Sequence, residues 1–173
     1  MKKILINIKI FLIVIFQTRW VFKKPNKADI LIYDDESIEE LNFYLRNKKY
    51  EIFHTRYEQI NFYIIFLTVF KNGIKNLREN YKINYFSTVL PKVIITLIDE
   101  NPGFFKLKNL YPFAKYVSVQ IGLKGDTFYN YIRHYQKKQK SYMFGSDVCF
   151  VLGENDKKKY DKFLHSKFIA LGS

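Results

Sequence analysis

A chain of 173 residues fits one domain and can bury a core. At 48% hydrophobic and 18% aromatic it is excluded from the disordered class. The formal charge of +13 favours anionic surfaces or substrates, but 24 of the 29 basic residues are scattered Lys and only 5 are Arg, the bidentate gripper of phosphates and bases, which argues against specific nucleic-acid recognition. A lone Cys149 in an apolar run leaves no disulfide framework and fits a reducing cytoplasm.

The segment from Ile4 to Phe22 is apolar, yet Lys9 and Arg19 bracket only the stretch Ile10 to Thr18, too short to span a bilayer. No small-residue cleavage site follows it. The reading that fits best makes residues 1–24 an interfacial helix with Trp20 and the flanking Lys and Arg at headgroup level; the alternatives are a helix packed on the domain and a cleaved or spanning signal. Pro25 closes the segment.

From Ala28 the pattern becomes strand, helix, strand. Ala28–Asp34 is a short apolar run ending on acidic residues, as buried parallel strands do. Ser37 with Glu40 three residues on predicts a capping box for a helix through Leu45. Tyr50–Thr55 reads as the second strand, Ile60–Phe70 as a helix apolar nearly all round, and Gly73 as its stop. A polar helix over Asn80–Val89 leads through Pro91 to a strand at Val93–Asp99, and Asn101-Pro102-Gly103 opens a short helix. Lys115–Gln120 is the next strand, and Leu123–Ser146 a partly helical surface excursion. Asp147–Gly153, Asp156–Leu164 and Phe168–Leu171 read as strand, helix and strand. The fold class is therefore α/β, a Rossmann-like parallel sheet of about six strands with helices on both faces over residues 28–173.

The chain carries neither GxGxxG nor GxxxxGK[ST], so no nucleotide cofactor is implied, and His54, His134 and His165 stand without metal-ligand spacing. What remains is a set of polar residues where strands end, the edge at which open α/β sheets bind ligands. Asp34, Arg56, Asn101, Gln120 and Gly122 are the candidate substrate-binding residues, and Asp99 and Glu58 the candidate bases. Turn and capping chemistry is the competing explanation for Asp34, Asp99 and Asn101; Gln120 beside Gly122 suits close approach of backbone to a ligand.

The series Ile30-Leu31-Ile32-Tyr33-Asp34, then His54 to Asn61, then Pro91 to Asn101, continuing through Val119-Gln120-Ile121-Gly122, Asp147 to Gly153 and Ile169 to Ser173, resembles the bacterial surface-carbohydrate biosynthesis proteins. These are similar to GT-B glycosyltransferases and to the CDP-glycerol glycerophosphotransferases. The resemblance implies the N-terminal, acceptor-side lobe of such an enzyme, with a glycan or lipid-linked acceptor as its partner. It departs at Ile121, where typical members carry Asn, and at the Gly-Ser end, past which family members continue into a nucleotide-donor lobe. The expectation is a truncated or split enzyme, inactive alone and completed by a C-terminal lobe in trans, cytoplasmic and peripheral on the inner face of the membrane. The alternatives are a non-catalytic membrane-surface module and a nucleic-acid binder that stacks bases on Tyr129, Tyr131, Tyr135 and Tyr142.

Overall fold

In a computed structural model, residues 18–56 and 58–172 are described. Six parallel strands form one sheet in the order β3-β2-β5-β6-β7-β8: β2 Ile30–Tyr33, β3 Tyr50–Phe53, β5 Val93–Thr96, β6 Lys115–Val119, β7 Val148–Val151 and β8 Lys167–Ala170. Two three-residue strands, β1 Arg19–Val21 and β4 Gln59–Asn61, form a separate parallel ladder. The α/β class and the parallel sheet are as the sequence predicts. The apolar runs are buried on the sheet, and parallel strands require the crossover helices that the polar stretches supply.

Between β2 and β3 lie a 3₁₀ turn, Ile38–Leu41, and α1, Asn42–Leu45. The path from β3 to β5 carries α2, Phe62–Asn72, and α3, Leu77–Val89. Then come α4 Pro102–Phe105, α5 Leu107–Leu110, α6 Asp126–Lys138 and α7 Glu154–Tyr160. Right-handed crossovers put α1 on one face and every later helix on the other, because only the step from β2 to β3 runs leftward. The main core lies on the later-helix face, where Leu31, Tyr33, Ile94, Tyr116 and Cys149 meet Phe86, Phe104 and Phe105.

Four local readings need correction. Arg19–Val21 is a strand, paired with Gln59–Asn61, where an interfacial helix over residues 1–24 is predicted; residues 1–17 of that segment lie outside the described residues. Ser37 makes no capping hydrogen bond and sits at φ 62°; the Asp34 carboxylate, itself at φ 80°, accepts the Glu36 N–H instead. The second helix starts two residues late because Ile60 joins β4 and Asn61 caps it, accepting the Ile64 N–H at 3.1 Å. The polar helix α3 begins at Leu77 rather than Asn80. Gly73 ends α2 at φ 67°, as expected.

The return of the chain to β7 depends on backbone contact. The Gly145 N–H donates to the Phe105 carbonyl, the His165 N–H donates to Phe144, and a β-carbon on Gly145 would overlap the His165 carbonyl. Gly145→Ala is therefore expected to lose about 1–3 kcal/mol through overpacking. Thermal unfolding would show it as a melting temperature several degrees below wild type; an unchanged melting temperature would mean that this crossing is loose.

Candidate functional site

The structure divides the predicted site residues into four separate sets. Asp34 is buried and bonded at the end of β2: Thr55 Oγ1 donates to its Oδ2, and Arg56 binds its Oδ1 at 2.7 Å. Arg56 also pairs with Glu36 at 2.7 Å and with Glu58 at 3.4 Å. Burial pushes the Asp34 carboxyl up, but the bonds from Thr55, Arg56 and the Glu36 N–H outweigh it, so it titrates below its ordinary value. This group closes the turn after β2 against the end of β3. Glu58 lies on its solvent side, lining a groove of about 640 Å³ beside edge strand β3 with Arg19, Tyr50 and His54.

Asp99 is 1% exposed. Tyr160 donates its hydroxyl to Oδ2, and the Lys124 ammonium lies 3.1 Å from Oδ1 and 2.7 Å from Glu100. Burial raises the Asp99 carboxyl despite both partners. A carboxylate walled in this way ties β5 to α7, where the sequence reading makes it a candidate base. Gln120, 2% exposed, staples the ends of β6 and β7: its Oε1 accepts the Leu152 N–H at 3.1 Å and its Nε2 donates to the Gly122 carbonyl at 2.9 Å. Space around Gly122 is open, so nothing there demands glycine for close approach. Asp99, Asn101 and Gln120 therefore do not converge on one open cleft.

The cleft that the fold does build lies at the carboxyl ends of β3, β2 and β5, where the strand order reverses, on the side covered by α3. That helix runs antiparallel to β2. The Ala28 N–H, before β2, bonds the Val89 carbonyl at the helix end, while Lys82 in its second turn donates to the Tyr33 hydroxyl at 2.6 Å. Two chambers share Arg78 and Lys82 as walls. One, of about 310 Å³, is mainly apolar, lined by Phe53, Ile60, Ile65, Leu77 and Tyr81. The other, of about 270 Å³, is polar, lined by Lys106, Asn101, Tyr131 and Tyr135. Asn101, of the predicted residues, borders the second chamber; its Oδ1 accepts the Gly103 N–H and caps α4. Apolar walls with a few convergent polar groups, placed at a topological switch point, are the usual form of a small-molecule site.

Lys82 and Arg78 are the residues that the sequence reading misses. On α3, Lys82 continues the buried stripe of Phe86 and Val89 at i, i+4 and i+7, the signal that points it inward. Burial, then the neighbouring charges of Arg78 and Lys106, lower its pKa to about 8, with Glu79 opposing. Among the described residues no three His, Cys, Asp or Glu side chains group as a metal site, and no helix is long and apolar enough to cross a membrane. Of the tyrosines proposed to stack bases, Tyr129 is buried and Tyr135 and Tyr142 pack on the core, which leaves Tyr131 exposed.

The chain matches no family model, no curated protein and no solved structure.

Because Lys82 binds fewer protons folded than unfolded between about pH 8 and its ordinary value near 10.5, its burial costs stability at neutral pH and that cost disappears as pH rises through this window. The stability of Lys82→Met relative to wild type is expected to decline between about pH 8 and 10 in denaturant titrations. A constant difference would show that Lys82 is charged and solvated throughout.

Proposed function

We propose that this chain is the acceptor-side lobe of a GT-B-like transferase of surface-polysaccharide assembly, and that it binds a glycan or lipid-linked acceptor in the cleft beside Lys82. The observation that carries the reading is the position and make-up of that cleft: apolar and cationic chambers side by side at the switch point of a doubly wound parallel sheet. The sequence resemblance through Asp34, Pro91–Asn101 and Gln120 supplies the enzyme class. The carboxylate in the cleft, Glu79, is engaged by Lys106, so the lobe contributes binding and orientation of the acceptor. A nucleotide-binding lobe, on this or another chain, supplies the donor.

Titration of the isotope-labelled chain with oligosaccharide acceptors is expected to shift the amides of Phe53, Thr55, Arg78 and Asn101, which border the cleft, and to spare those of Asp99 and Gln120. Shifts elsewhere, or none with any saccharide, would remove the acceptor-lobe reading.

A second reading, contact with an anionic membrane surface on the cytoplasmic side, rests on α2. Its outer stripe of Phe62, Phe66, Val69 and Phe70 is exposed, with Phe66 at 65% and Phe70 at 81%. Phe22 and Trp20 extend it, their rings 5.4 and 6.5 Å from that of Phe62. The two segments that form this patch, residues 18–28 and 59–77, carry Arg19, Lys23, Lys24, Lys27, Lys71 and Lys75 and no carboxylate. Aromatic groups ringed by cations suit an anionic bilayer surface. The chain is expected to float with phosphatidylglycerol vesicles at low salt. A Phe66→Ser, Phe70→Ser double variant should stay in the soluble fraction; equal flotation of the variant would exclude α2 as the contact.

A further inference from the structure

The polar chamber is rich in hydrogen-bond donors and poor in acceptors. Arg78 has no hydrogen-bond or ion-pair partner among the described residues, so all five of its N–H groups are available. Lys82 spends one of its three protons on Tyr33, and its Nζ lies 4.0 Å from where a Gly103 β-carbon would stand, at the mouth of the Asn101 turn. The Asn101 side-chain carbonyl is taken by Gly103, which leaves its amide N–H groups without a partner among the described residues. Lys106 completes a triangle of cations, and the one acid of the chamber, Glu79, is committed to it. Three cations around one acid hold an uncompensated positive charge in a partly buried cavity, and that charge calls for an anion.

We infer that the chamber bounded by Arg78, Lys82 and Asn101 is a phosphoryl-binding subsite, and that it takes the phosphate or diphosphate head of an amphiphilic ligand whose apolar part occupies the neighbouring chamber of Phe53, Ile65 and Leu77. A phosphoryl group matches the planar Arg fork and carries the charge that two further ammonium groups balance, whereas a carboxylate carries one charge and two oxygens. The apolar chamber shares Arg78 and Lys82 with it, so the two chemistries lie side by side for one ligand. The inference deepens the acceptor-lobe reading and rests on it for the identity of the ligand's remainder.

Calorimetric titration of the full chain with inorganic pyrophosphate and with farnesyl pyrophosphate tests both parts. Pyrophosphate is expected to bind, and farnesyl pyrophosphate to bind at least about tenfold tighter, since burial of two methylenes suffices for that. Arg78→Ala and Lys82→Met, checked for folding by circular dichroism, should each weaken both by about ten- to a hundredfold. At pH 8, where free Lys82 is half protonated, binding should draw in protons and give a buffer-dependent enthalpy that Lys82→Met abolishes. Affinity should fall as pH rises beyond that point. No binding of either probe, or binding untouched by both substitutions, overturns the subsite; equal affinity for the two probes overturns the apolar assignment. Pyrophosphate binding without any saccharide response would retain the subsite and discard the acceptor-lobe reading, so the two fail separately.

Discussion

The handedness of parallel crossovers governs this molecule. Each strand of the six-stranded sheet must be reached by a right-handed path, so a leftward step from β2 to β3 and rightward steps thereafter send the chain to opposite faces. The loops after β2 and β5 therefore diverge, and the space between them is left unfilled by backbone. The cleft itself is bordered by Asn101, after β5, and by Phe53 and Thr55, at the end of β3. Tyr33, the last residue of β2, is fully buried, and its hydroxyl accepts a hydrogen bond from the Lys82 ammonium.

The same constraint separates the structural polar groups from those of the cleft. At the other strand ends, polar side chains are used to tie elements together. Asp34 draws the end of β2 to β3 through Thr55 and Arg56, Asp99 draws β5 to α7 through Tyr160, and Gln120 links the ends of β6 and β7. Burial of polar groups requires such partners: Asp34 and Gln120 have hydrogen bonds on both polar atoms, whereas Asp99 has one at Oδ2 and only the Lys124 ammonium beside Oδ1. The cleft groups differ in having more donors than partners. That imbalance, rather than burial or position at a strand end, is what sets the cleft groups apart from the structural ones in this fold.

Much of the architecture was legible in the sequence because burial leaves a pattern. Runs such as Val93 to Thr96 and Val148 to Val151 fall where the apolar, β-branched stretches are. The β1–β4 ladder was not legible: three residues on each side carry little periodicity, and their pairing across 40 positions, Arg19 with Gln59, leaves no local trace. The candidate site was half legible. The strand-end rule pointed to the edge beside which the Lys82 cleft lies but selected residues by their polarity in loops; of these Asn101 borders the cleft, while Asp34, Asp99 and Gln120 tie elements together. Arg78 and Lys82 were overlooked because a polar helix reads as a solvated surface until its stripe of Phe86 and Val89 is followed back toward its start.

The placement of β2 also bears on how the chain reaches its native state. Ile30 pairs with Tyr50 on one side and with Val93 on the other. The first pairing closes a short loop early in synthesis; the second must wait until α2 and α3 have been made. Until then this interior strand of the future sheet offers a bare hydrogen-bonding edge and carries Leu31 and Ile32, which end up fully buried. Non-local parallel pairing of this kind slows folding and prolongs the life of aggregation-prone forms. A nascent chain of this protein thus has a defined interval of vulnerability, from the emergence of β3 to that of β5, in which a chaperone or the arriving α3 must shield the strand on which the whole sheet is later assembled.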